Sequence, residues 1–151
     1  MKKIFLVCFL FVVSVSFAQN ETEAKLTWLT NFEQAKKISK QTNKPILLYI
    51  TGSDWCAPCK LLKKDFFENK KFLDRADDVV LLLIDHPRRI DIISEEQLVY
   101  NKKIIAKYNT ENTFPKVLIL NSKGKEKGEI GGYSSLRDTS SYFAFLDKHI
   151  K

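Results

Sequence analysis

The stretch "SDWCAPCK", residues 53–60, sets two cysteines, Cys56 and Cys59, three positions apart, with Trp55 before them, Pro58 between them and Lys60 after. Upstream, "PILLYIT", residues 45–51, is a short continuous apolar run with β-branched members and reads as a strand buried on both faces. Downstream, Leu61, Leu62, Phe66, Phe67 and Leu73 recur at roughly helical spacing, so a helix is expected from Cys56 to about Leu73. The pair therefore follows the loop "TGSD", at the end of a strand and on the first turn of a helix. Unpaired backbone N–H groups and the partial positive charge of a helix start favour a thiolate over a thiol. Such a site lowers a cysteine pKa from about 8.5 towards about 7 or below, and the thiolate is the attacking species. Cys56, nearer the helix start, is the expected nucleophile. Cys59, almost one turn on, is placed to attack the mixed disulfide that Cys56 forms and release it. Pro58 is tolerated because the first turn has no intrahelical N–H bond to lose. Trp55 is expected to shield the sulfur pair and to offer an apolar contact surface.

Two other uses of the pair fit less well. A structural zinc site normally takes four ligands, whereas this chain supplies one cysteine pair and two histidines, His86 and His149, far apart and not at ligand spacing. No metal is expected. A purely structural disulfide closing so short a loop removes little chain entropy. A redox-active Cys56–Cys59 disulfide makes better use of the spacing.

The compartment is read from the N-terminus. Met1-Lys2-Lys3 is a positive head, Ile4 to Phe17 is almost unbroken apolar sequence, and Ser16-Phe17-Ala18 has small residues at both recognition positions of a cleavage site. Residues 1–18 are therefore expected to be a secretory signal peptide, cut near Ala18, since the run stops short of the ~20 apolar residues of a spanning helix. Cys8 lies inside that run and would leave with it. Residues 19–151 then make one domain, periplasmic or otherwise exported. Loss of Lys2 and Lys3 lowers the formal charge from +7 to +5. The remaining charges alternate in sign, as on a solvated surface, and no basic block with interleaved aromatics suggests a nucleic-acid partner.

The rest of the chain alternates in type. Thr30 and Glu33 have capping-box spacing ahead of a helix through Ile38, which Asn43-Lys44-Pro45 ends. "VVLLLID", residues 79–85, reads as a second buried strand. Ser94 and Gln97 start another helix whose face carries Leu98, Ile104, Ile105 and Tyr108. "PKVLILN", residues 115–121, and "EKGEIGG", residues 126–132, flank "SKGK" as a hairpin, and residues 135–150 close with an amphipathic helix. The expected class is α/β, a central mixed β-sheet with helices on both faces.

On these residues the chain resembles the thioredoxin superfamily, and in particular its small exported thioredoxin-like disulfide reductases. "DWCAPCK" is similar to that family's active-site turn, and "PILLYITGS", "VVLLLID", "YNTENTFPKVLILNSKGKE" and "GEIGGY" come in the family's order. The resemblance implies a thioredoxin fold and a cis bond at Phe114-Pro115 facing the cysteines, accessible because proline lowers the cost of cis to about 0.5–1 kcal/mol. It also implies substrate contacts from the Phe114 backbone, Pro115 and the Gly131-Gly132 wall, beside Trp55. Thioredoxins carry a buried aspartate and a lysine where this chain has Ile50 and Leu81, so Asp54 or a water is the hypothesised proton relay for Cys59. Lys116, after the proline, is expected to be a solvated surface lysine. The resemblance implies protein-disulfide reductase activity on substrate proteins, no cofactor, a membrane electron-transfer partner and a monomer. A dithiol oxidase and a non-catalytic binding or holdase module are the alternatives.

Overall fold

The computed structural model describes residues 26–150. The expected leader, residues 1–18, with Cys8, lies outside them.

Strand β1, Ile46–Thr51, is the centre of the molecule, and all six of its residues are buried. It pairs in parallel with β2, Val80–Asp85, and antiparallel with β3, Lys116–Leu120, which pairs antiparallel with β4, Glu126–Gly131. The order is β2-β1-β3-β4, a mixed sheet. Alternate residues of β1 feed opposite cores, as a strand's period of two requires. Leu47 and Tyr49 meet Leu62, Phe66 and Phe67 on one face. Ile46, Leu48 and Ile50 meet Phe32, Ala35, Ile105 and Tyr108 on the other.

The helices divide accordingly. Helix α1, Phe32–Thr42, and the long α4, Glu95–Tyr108, cover the second face, while α2, Ala57–Leu62, α3, Lys70–Leu73, and α5, Ser140–His149, cover the first. This is the expected class, with helices on both faces of the sheet. Among the described residues no helix is long and apolar enough to cross a membrane.

Two expected boundaries differ. The N-cap of α1 is Asn31, not Thr30; its side chain accepts the Gln34 amide at 2.9 Å. Ser94 caps α4 as expected, accepting the Gln97 amide at 3.2 Å, but the Gln97 side chain reaches Thr30 and Asn101 instead of closing the box. The single helix expected from Cys56 to Leu73 is three pieces. After α2 the chain widens into a π-helical turn, Lys63–Phe67, and Asn69 caps α3 afresh. The cause is the Phe66-Phe67 pair. Consecutive residues of an α-helix point about 100° apart, so two adjacent aromatics cannot both enter the core from one regular face, and the wider turn lets both reach 1 % exposure.

Candidate active site

The parallel β1–β2 pair ends together at Thr51 and Asp85, and the redox turn grows from that end. Gly52 is required there: a Cβ on it would lie 2.3 Å from the Trp55 ring, which packs across the glycine. Ser53 is held by Asp85, whose carboxylate accepts the Ser53 amide at 2.9 Å and its hydroxyl at 2.5 Å. The Cys56 amide then donates to Gly52 O at 2.9 Å, closing the turn.

Cys56 is the N-cap of α2, and its sulfur accepts the Cys59 amide at 3.2 Å. The two cysteines are joined as a disulfide, with Cα atoms 5.2 Å apart. Once that bond is reduced, the amide that caps Cys56 is a donor to a thiolate, which lowers the cost of the charged form. Beneath them the Tyr49 hydroxyl donates to Cys59 O at 3.1 Å. Burial pushes the Tyr49 pKa up to about 12, so it stays a neutral donor at physiological pH. Cys56 retains 3 % exposure and Cys59 1 %.

Trp55 flanks the pair. Its Nε1 donates to His86 O at 2.7 Å, its ring meets Phe114 edge-on at 5.2 Å, and the Arg88 guanidinium lies 4.5 Å over it. Phe114-Pro115 is a cis bond. Antiparallel pairing of Lys116 with Ile50 sets Pro115 beside the end of β1, where the redox turn begins. The loop before it is wound on Asn109, whose buried amide side chain bonds both the Thr113 carbonyl and its amide at 2.9 Å. On the far side Gly132 donates its amide to Pro115 O at 2.8 Å. Gly132 has φ +73 and open space where a Cβ would be, so its backbone conformation is what demands glycine. Gly131 is a packing glycine, since a Cβ there would lie 2.7 Å from Thr113 Cγ2.

The described chain matches the family model Thioredoxin-like over residues 27–122. It belongs to the thioredoxin-like family. Among proteins similar to this thioredoxin-like chain, the disulfide bond reductase DsbH of Chlamydia pneumoniae is 30 % identical over 109 residues, which cover 72 % of this chain and 64 % of that protein. The thiol:disulfide interchange protein DsbD of Campylobacter jejuni is 34 % identical over 112 residues, covering 74 % of this chain and 18 % of that protein. The chain thus spans less than two thirds of either relative. A solved DsbH oxidoreductase shares the fold with a TM-score of 0.69 at 26 % identity, covering 83 % of this chain and 84 % of that one. An oxidised thioredoxin O2 from Arabidopsis thaliana, at 22 % identity and a TM-score of 0.54 over 80 % of this chain and 87 % of that one, shares the fold alone.

Against the thioredoxin-like pattern, Ile50 and Leu81 are buried apolar residues on opposite faces of the sheet. The proposed relay, Asp54, is occupied elsewhere: its carboxylate accepts the Arg88 amide at 3.0 and 3.1 Å and the Arg89 amide at 2.9 Å. Desolvation opposes its ionisation, but those amides outweigh it and hold the carboxyl below its ordinary value. Asp54 thus caps the segment after β2. Lys116 corrects one expectation. It is 4 % exposed, and its Nζ lies 2.8 Å from Glu129 on β4; a cation on the inner end of β3 is tolerated because the neighbouring strand supplies a carboxylate.

The residues that sequence reasoning missed are Asp85, Ser53, Tyr49, Asn109 and Arg88. Only Asp85 left a signal, as an acid closing an otherwise apolar strand.

Proposed function

We propose that the chain is an exported thiol–disulfide oxidoreductase that reduces disulfides in substrate proteins. The observation that carries this is the Cys56 sulfur at the N-cap of α2, disulfide-bonded to Cys59 and facing the Cys59 amide. The Cys56 thiolate attacks one sulfur of a substrate disulfide, a Cys56–substrate S–S bond forms, and the other substrate sulfur leaves as a thiolate and takes a proton. Cys59 gives up its proton and attacks the Cys56 sulfur, releasing the second substrate thiolate. The substrate gains two electrons and the protein keeps the Cys56–Cys59 disulfide. With Asp54 engaged by backbone amides, solvent is the simplest acceptor for the Cys59 proton.

Trp55, Phe114, Pro115 and Gly132 frame the approach, and an extended substrate segment would pair with the backbone beside Pro115. Pro58 before Cys59, as in reducing members of the resembled family, and the reductase named among the relatives support reduction as the direction. The leader-like residues 1–18 support export, and an exported reductase needs a membrane electron donor to reopen its disulfide.

Insulin reduction by the dithiol-charged protein tests this. Cys56→Ser should abolish turnover, and Cys59→Ser should accumulate a mixed disulfide visible by mass. Equal turnover in wild type and Cys56→Ser would leave a binding module in its place.

A further inference from the structure

The segment joining β2 to α4, residues 86–94, has no part in the exchange chemistry, yet it is fastened to the redox turn. His86 donates its amide to Thr51 O at 2.8 Å and accepts from Trp55 Nε1 at 2.7 Å, and the Asp54 carboxylate caps the Arg88 and Arg89 amides. Held this firmly, a segment would normally turn its apolar side chains inward. Instead Ile90 is 92 % exposed and Ile92 37 %. Of the four large hydrophobics exposed among the described residues, these are two, and both lie on the segment fastened to the redox turn.

Its charge is equally uneven. Arg89 is neutralised by Asp91, to which its Nε donates at 3.0 Å. Arg88 feels the Asp54 charge but makes no ion pair among the described residues, and its guanidinium carbon lies 4.5 Å from the centre of the Trp55 ring. Lys60, directly after Cys59, donates from its Nζ to the Asp54 carbonyl at 2.9 Å and has no carboxylate partner among the described residues. The nearby acids Asp54, Asp85 and Asp91 are therefore occupied, while Arg88 and Lys60 have no carboxylate partner among the described residues. A guanidinium fixed on an aromatic face is pre-ordered for a carboxylate and loses little side-chain entropy on binding it.

We propose that residues 86–92, with Arg88 and Ile90 as anchors, are the partner-docking rim of the redox centre. The rim selects protein segments that carry an acidic side chain and an apolar one next to their disulfide cysteine. This rests on the redox reading above.

The test is the rate at which the reduced full chain reduces two peptides with an internal disulfide, one flanked by Glu and Leu, the other by Lys and Ser. Each rate is divided by that for neutral hydroxyethyl disulfide with the same variant. Wild type should favour the acidic peptide by about tenfold at low ionic strength, with the preference shrinking in about 0.5 M salt. Arg88→Lys, which keeps the charge but loses the stacked guanidinium, should keep only part of the ratio, Arg88→Glu should invert it, and Ile90→Ser should lower the acidic-peptide rate about threefold. A ratio near one in wild type, or one unaltered in Arg88→Glu, overturns the proposal. A wild type inert towards hydroxyethyl disulfide as well as both peptides would overturn the redox reading, and the proposal with it.

Discussion

Asp85 receives both hydrogen bonds that Ser53 can donate, from its amide and from its hydroxyl. The carboxylate is buried at the last position of β2, and through Ser53 it fixes the loop that carries the cysteines. Asp85→Ala should lower unfolding free energy by roughly 2–3 kcal/mol and Ser53→Ala by about 1 kcal/mol, since a buried charge-assisted bond is worth more than a neutral one. Urea unfolding of the oxidised protein measures both. The double variant should fall short of the sum by more than about 0.5 kcal/mol; strict additivity would mean the two residues act apart.

In the proposed mechanism Asp54 is a cap and solvent takes the proton of Cys59. Asp54→Asn should therefore leave the pH profile of thiol–disulfide exchange where it is, while loosening residues 86–89. The carboxyl is depressed in the folded state, so its stabilising effect is present above its ordinary value and is lost as the pH falls through the folded one. A variant profile displaced along the pH axis would restore Asp54 to the mechanism.

Asp65, on the π-helical turn that follows the redox helix, holds the wall that carries Gly132. It accepts from Arg137 Nε at 2.8 Å and from the Tyr133 hydroxyl at 2.9 Å. The Arg137 bond outweighs desolvation and, with Tyr133, pulls its carboxyl down to about 2. The folded value lies below the unfolded one, so the contribution is complete above about pH 4 and is lost towards about pH 2. Asp65→Asn should melt earlier at neutral pH and lose less on acidification than wild type does, as read by thermal melts across that range. Parallel melting curves for the two proteins would discount the link.

The Lys116–Glu129 pair should respond unequally. Glu129→Gln leaves a nearly covered ammonium without its partner and should cost about 1–2 kcal/mol, whereas Lys116→Met, which removes the charge itself, should cost less than about 1 kcal/mol. If the lysine variant proves the weaker in denaturant, the pair is a net source of stability.

The strands were legible because β1 and β2 are buried on both faces and so read as unbroken apolar runs. The CxxC turn was legible because its spacing has few other uses, and Phe114-Pro115 through the family resemblance. What stayed hidden depended on partners distant in sequence. Lys116 looks like any surface lysine until β4 brings Glu129 alongside, and nothing in the sequence marks Asp54 as the cap for two amides of the loop after β2. The break in the redox helix was written in Phe66-Phe67, but helical periodicity tolerates one such pair, and only the packing of both rings forces the wider turn. Asn31 displaced Thr30 as the α1 cap for a local reason, since either side chain can accept an amide at a helix start.

The sheet has two outer edges, one partly paired and the other lined with charge. Leu29 pairs with the rim of β2, giving its amide to Leu81 O at 3.0 Å and taking that of Leu83 at 2.8 Å. β4 sets Glu126, Lys127 and Glu129 along the opposite border. Charged and covered borders resist growth by strand addition, so crowded copies of this chain have little to template a fibril on, and self-association would have to begin elsewhere on its surface.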